Sequence, residues 1–240
     1  MVGASEFNQK HRAVKWIIFK LLGPELKIVV VTPFAFMINT IIFDLGAVLI
    51  DWNPHYLYSK ILQEEEMRHF LATVCTPEWN EEQDGGRPLA EATELLVSQF
   101  PEHEENIRHF YGRWSEMLGG EIAGTVEILK QLKASGRYKL YALTNWSAET
   151  FPIAQERFEF LTWFDGIVMS GAEKDRKPFP SFYQTLLNRY SVQADEALFI
   201  DDNLRNIKAA EQLGIHGIHF LNPEQLKDEL IQHGISVENR

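Results

Sequence analysis

Cysteine is nearly missing: Cys75 is the single one in 240 residues. That excludes an internal disulfide and suits a reducing compartment. With no base argued beside it, Cys75 reads as a buried structural thiol rather than a nucleophile. Long apolar runs are missing too. Trp16–Leu22 and Leu26–Val31 both fall far short of the ~20 residues that cross a bilayer, so no membrane span is expected. Gly23, Pro24, Glu25 and Lys27 interrupt that region, and no small-x-small cleavage site follows it, so it does not read as a secretory signal. Positive charge is scarce: 23 Lys and Arg stand against 34 Asp and Glu, a formal net charge of -11. Such a surface is not built for nucleic acid or anionic membranes. An acidic protein that handles an anionic substrate must supply positive charge locally, from lysine, arginine or a metal. The eight histidines show no metal-ligand spacing. On these absences a cytoplasmic protein is the expectation.

What is present is an ordinary globular composition, 45% hydrophobic and 24% charged, with enough apolar material for a sizeable core. Residues 1–36 do not read like the rest. Lys10, Arg12, Lys15 and Lys20 interleave with Trp16, Ile17, Ile18, Phe19, Leu21 and Leu22, the pattern of a short basic amphipathic helix ended near Gly23-Pro24. Leu26–Val31 reads as a strand. The domain is expected to begin near Met37, with residues 1–36 an appendage. Residues 55–120 carry apolar residues at three and four spacing over His55–Gln63, Glu64–Val74, Ala90–Phe100 and Ile107–Leu118. Pro77, Asp84-Gly85-Gly86, Pro101 and Gly119-Gly120 punctuate them. The expectation is a small helical bundle. It would be inserted into a core formed by residues 37–54 and 121–240.

That core alternates. Apolar strands are expected at Ile41–Phe43, Lys139–Leu143, Gly166–Met169, Ala197–Ile200 and Ile215–Phe220. Helices are expected at Gly124–Ser135, Ala148–Phe158, Ser181–Tyr190 and Leu204–Leu213. Strands and helices of these lengths in alternation mean a parallel α/β sheet with right-handed crossovers. Such a sheet brings its strand ends to one edge, where open α/β folds place their ligands. That edge would receive Asp44, Thr144 with Asn145, the loop holding Lys177, and Asp201 with Asp202. Taken singly, each has a plain structural reading: a capped turn, a solvated lysine, acids opening a helix. Their order, each after an apolar strand, points to chemistry. Three carboxylates together repel unless neutralised. A hard divalent cation does so, and Mg²⁺ fits best, because it takes a few carboxylates and accepts phosphate oxygens. Asp44 can then attack phosphorus. Lys177 offsets the charge of the phosphate. Thr144 and the amides of the Leu45-Gly46 turn can donate to phosphoryl oxygens.

These residues resemble the haloacid dehalogenase superfamily of hydrolases, from about Met37 to about Phe220. Ile-Ile-Phe-Asp44-Leu-Gly46-Ala-Val is similar to its first motif, Leu143-Thr144-Asn145 to its second, Arg176-Lys177-Pro178 to its third. Phe-Ile-Asp201-Asp202-Asn203, with Asn206, Ala209 and Gly214, is similar to its fourth. The resemblance implies a Rossmann-like core with a helical cap and a phosphatase acting on a small phosphorylated metabolite. It makes Asp44 the nucleophile, and Asp44, the Gly46 carbonyl, Asp201 and Asp202 the Mg²⁺ ligands. One departure stands out. Most phosphatases of the superfamily carry an acid two residues after the nucleophile, where this chain has Gly46. Asp-Leu-Gly-x-Val is similar to a branch with sugar-phosphate phosphatases acting on glucose 1-phosphate. Two alternatives are carried forward: a 2-haloacid dehalogenase-type hydrolase, and a catalytically weak binding protein that keeps the fold.

Overall fold

The computed structural model describes residues 37–237 and, ahead of them, the backbone of two strands. These are β1 (Trp16–Leu21) and β2 (Leu26–Val31), antiparallel from Trp16↔Val31 to Leu21↔Leu26. The strand at Leu26–Val31 is as expected. The amphipathic helix expected over its predecessor is not: residues 16–21 are a strand. Its aromatic and β-branched residues favour a pleated partner over a helix, and Gly23-Pro24 lies between the strands as turn-forming sequence. Lys10, Arg12 and Lys15 lie outside the described residues. This hairpin falls in the unit Met1–Met37, and the fold below is that of the unit Ile38–Arg240.

The chain enters its sheet through β3 (Thr40–Phe43) and makes a short strand β4 (Ile50–Trp52). It then runs through α1 (His55–Tyr58), α2 (Glu64–Thr73), α3 (Pro77–Asp84), α4 (Leu89–Gln99) and α5 (Glu104–Gly112). A turn of 3₁₀ helix at Trp114–Met117 leads into β5 (Leu118–Glu121). β5 pairs antiparallel with β4, Ile50↔Glu121 to Trp52↔Leu118, so the insertion leaves and returns on one ribbon. Gly119-Gly120 therefore sits in a strand rather than ending a helix. At Gly119 a Cβ would displace the Asp51 carboxylate and the Tyr56 ring, which lie against the ribbon there. α3 also departs from the expectation, which took Pro77 and Asp84 as punctuation. Proline is well suited to a first helical turn, and Thr76 caps it by accepting from the Trp79 amide at 3.2 Å.

The core follows: α6 (Ala123–Ser135), β6 (Lys139–Thr144), α7 (Phe151–Arg157), β7 (Gly166–Met169) and α8 (Ser170–Glu173). After them come α9 (Pro180–Tyr190), β8 (Ala197–Asp201), α10 (Leu204–Gln212), β9 (His216–His219) and α11 (Pro223–Gln232). The five strands lie in the order β7-β6-β3-β8-β9, all parallel. β3 is central, and its TIIF sequence is buried throughout. Strand side chains alternate between faces. Ile41, Phe43, Leu140 and Leu198 pack on one face with Leu129 and Leu132 of α6 and Leu226 and Leu230 of α11. Ile42, Tyr141, Leu143 and Phe199 pack on the other with Phe182 and Leu186 of α9 and Ile207 of α10. Both faces are covered, which is why these strands read as continuous apolar runs. The architecture is the expected α/β Rossmann-like parallel core with a helical cap.

Candidate active site

Register builds the site. Phe43 pairs with Ala142 on one side and Ile200 on the other. Asp44 therefore leaves β3 beside the ends of β6 and β8, where Thr144 and Asp201 stand. The Asp44 amide still donates to the Ile200 carbonyl at 2.8 Å, and the Leu45 amide donates to Asp44 Oδ1 at 2.8 Å. Asp44 is only 8% exposed, and Thr144, Lys177 and Asp201 are buried.

Lys177 bridges two acids. Its Nζ lies 2.9 Å from Asp44 Oδ1 and 2.7 Å from Asp201 Oδ2. Asn145 holds the lysine's own backbone from both sides. Its Nδ2 donates to the Lys177 carbonyl at 3.0 Å, and its Oδ1 accepts from the Lys177 amide at 2.9 Å. Asp201 accepts from the Asn203 amide at 2.8 Å, from Asn206 Nδ2 at 3.0 and 3.1 Å, and from Lys177. A carboxylate has about four acceptor sites, so Asp201 is fully engaged. Asp202 is exposed.

Carboxylate oxygens of Asp44, Asp201 and Asp202 all lie within 4.8 Å of one another. Burial, with Asp201 and Asp202 adding to it, pushes the Asp44 carboxyl up to about 7 against the pull of Lys177. Burial and Asp201 also raise Asp202. For Lys177 burial works to lower the pKa, but Asp201 and Asp44 outweigh it and hold the ammonium above its ordinary value. Thr144 Oγ1 is buried at this edge with no hydrogen-bond partner among the described residues. A buried hydroxyl left unpaired is costly unless a ligand completes it.

Asp44, Thr144, Lys177, Asp201 and Asp202 thus come together as the sequence pattern expects. Asn145, expected to contact substrate, lines the cavity and also holds the Lys177 backbone with its side chain. Leu45 is fully buried, and its amide is taken by Asp44. Gly46 borders a cavity of about 700 Å³ that Asp44, Lys177 and Asp202 also line. A Cβ at Gly46 would meet nothing within 4 Å. Trp52, Leu71, Phe110, Trp114 and Trp146 supply apolar wall. The sequence pattern did not single out Leu71, Phe110, Trp114 or Trp146 as cavity wall. Apolar residues at helical spacing look alike whether they fill a core or line a cavity. Asn203 and Asn206, which complete Asp201, were visible only as part of the fourth motif.

The model of the family described as haloacid dehalogenase-like hydrolase matches residues 41–220. The chain is 31% identical over 180 residues to the sesquiterpene phosphatase astK of Aspergillus oryzae, covering 75% of this chain and 88% of that one. It is 26% identical over 196 residues to the drimenol cyclase drtB of Aspergillus calidoustus, covering 81% of this chain but only 36% of the cyclase. Among solved structures, a HAD family enzyme from Bacteroides thetaiotaomicron in complex with magnesium superposes with a TM-score of 0.59 at 20% identity, over 75% of this chain and 92% of that one. With the family model matched from the first core strand to the end of the fifth, the chain belongs to the haloacid dehalogenase-like hydrolases.

Proposed function

We propose that the chain is a Mg²⁺-dependent phosphatase that hydrolyses a small phosphate monoester through an aspartyl-phosphate on Asp44. The observation that carries this reading is the acid cluster around a fully buried lysine, beside a hydroxyl with no partner. Asp44 attacks phosphorus, and water then releases phosphate from the aspartyl ester. Lys177 fixes Asp44 and faces the incoming negative charge. Thr144 Oγ1 donates to a phosphoryl oxygen, which gives its hydroxyl the missing partner. Asn145 keeps the lysine backbone in place.

The donor set fits the metal. Its ligands are hard oxygens close together, and the raised carboxyl groups of Asp44 and Asp202 record burial first and repulsion second, both of which a cation offsets. Asp44, Asp202 and the Gly46 carbonyl would hold it, with Asp201 steadying the site through Lys177 and Asn206. When bound, Mg²⁺ offsets the charge of nucleophile and phosphate. The relative named as a phosphatase and the structural neighbour that holds magnesium support the reading.

For the leaving alcohol, a sugar phosphate such as glucose 1-phosphate is the expectation from the first motif. The aromatic wall favours a second reading, an alcohol with an apolar or aromatic body. The paired acids weigh against a dehalogenase, and the intact set of Asp44, Thr144 and Lys177 against a mere binding protein. A panel of sugar, alkyl and aryl phosphates, assayed with and without Mg²⁺ beside chloroacetate, tests all three. Turnover of chloroacetate in chelator, with no phosphate released from any ester, would refute the proposal.

A further inference from the structure

We propose that Asp84, the last residue of α3, is the general acid and base of the reaction, standing in for the side chain that Gly46 lacks. The inference rests on the phosphatase reading above. The volume beside Gly46 is open, so no neighbouring group fills the place of the missing acid. Asp84 lines the same cavity as Asp44, Gly46 and Lys177.

The other acids of that cavity are committed. Asp44 and Asp202 belong to the cluster, and Glu81 is paired with Arg205 at 2.7 Å. Asp84 makes no ion pair among the described residues; Arg176 nearby is paired with Glu82. The carboxyl of Asp84 is nonetheless held. Asn80 Nδ2 donates to its Oδ2 at 2.9 Å, and Tyr111 Oη donates to Asn80 Oδ1 at 3.0 Å. Its backbone is fixed to the sheet side of the site: Ser170 Oγ donates to the Asp84 carbonyl, and the Trp146 amide donates to Ser170 Oγ at 2.8 Å. The helical insertion thus presents to the cavity, from a tethered helix end, one carboxyl outside any ion pair among the described residues.

The groups around it are Glu81 on α3, Asp44, Arg176, the Ser147 amide and Tyr111. Burial, reinforced by Glu81 and Asp44, pushes the Asp84 carboxyl up to about 7, with the Ser147 amide and Arg176 opposing. A group near neutrality is suited to give and then take a proton. In the first step the Asp44 oxygen bonds to phosphorus, the ester oxygen leaves with its electron pair, and the Asp84 proton passes to that oxygen. In the second, a water oxygen bonds to phosphorus, Asp84 takes the water's proton, and Asp44 leaves as carboxylate. The sum is ester plus water to alcohol plus phosphate.

The test is kcat/KM over a series of aryl and alkyl phosphates with Mg²⁺. Wild-type turnover of p-nitrophenyl phosphate is measured first, and its absence would sink the phosphatase reading and this one with it. Positioned acid catalysis is worth about 10²–10⁴-fold. Asp84→Asn should lose about that much on an alkyl phosphate and far less on p-nitrophenyl phosphate, whose leaving group needs no proton. The wild-type fall in kcat/KM as pH rises through about 7 should vanish in the variant. Gly46→Asp added to Asp84→Asn should restore alkyl turnover. Equal losses on every ester, or no loss on any, would overturn the assignment.

Discussion

Replacing Lys177 by methionine keeps most of the stem's volume and removes one charge. The stem is wholly buried, and its Nζ lies 5.5 Å from the centre of the Phe199 ring, so the packing change is small. The electrostatic change is not. Asp44 and Asp201 lose a partner at 2.9 and 2.7 Å. Removing one member of a buried ion pair costs about 3–5 kcal/mol, because the remaining charge stays desolvated. The sign with pH follows. Asp44 sits at about 7 in the fold against an ordinary 3.8, so the fold binds its proton more tightly than the unfolded chain does. Stability from this group is therefore present at low pH and lost as pH rises toward and through about 7. Lys177, held above its ordinary value, stays charged over that range and limits the loss in the wild type. The variant lacks that help, so its deficit should be small near pH 5 and reach the full 3–5 kcal/mol near pH 8. Urea unfolding in chelator, followed by tryptophan fluorescence at both values, reads the difference. A deficit under about 1 kcal/mol at pH 8, the size of an exposed ion pair, would show that the lysine does not carry the buried acids.

Asp44→Asn should abolish turnover and keep the fold, since an amide cannot serve as the nucleophile; more than a few per cent activity in a pure sample would remove Asp44 from that role. Chelation should stop phosphate release, and Mg²⁺ should restore it. Asp202→Ala should raise the Mg²⁺ requirement with little effect on the melting temperature. Asp201→Ala should instead lower the melting temperature sharply, because Lys177 and Asn206 lose their acceptor; equal behaviour of the two variants in both assays would contradict the different roles given to them. Deleting residues 1–36 should leave turnover and melting temperature nearly unchanged, and a large fall in either would show that they support the core.

The core was legible because its strands are buried on both faces. Ile41–Phe43, Leu140–Leu143 and Leu198–Ile200 are unbroken apolar runs, each stopped by the polar residue that matters. α11 went unread although Asn222 and Pro223 carry a cap and a first-turn proline, and Asn222 Oδ1 accepts from the Gln225 amide at 2.9 Å. α3 was hidden by its polarity: PEWNEEQD buries only Gln83 and has no apolar stripe to count. The Lys177 loop was visible as a motif. Its complete burial was not, since that depends on Asp44, Asn145 and Asp201, each distant in sequence. The same reason hid the bond from the Asn145 side chain to a backbone 32 residues away.

β3 has a hydrogen-bonded neighbour on each side along its whole length, and helices cover both of its faces. Its backbone amides can then meet solvent only in openings that dismantle the sheet. In hydrogen exchange, Ile41 to Phe43 belong among the slowest positions of the molecule. The residue proposed to form the covalent bond is thus anchored to the last part to unfold, and the loss of the site and the loss of the sheet are expected as one event.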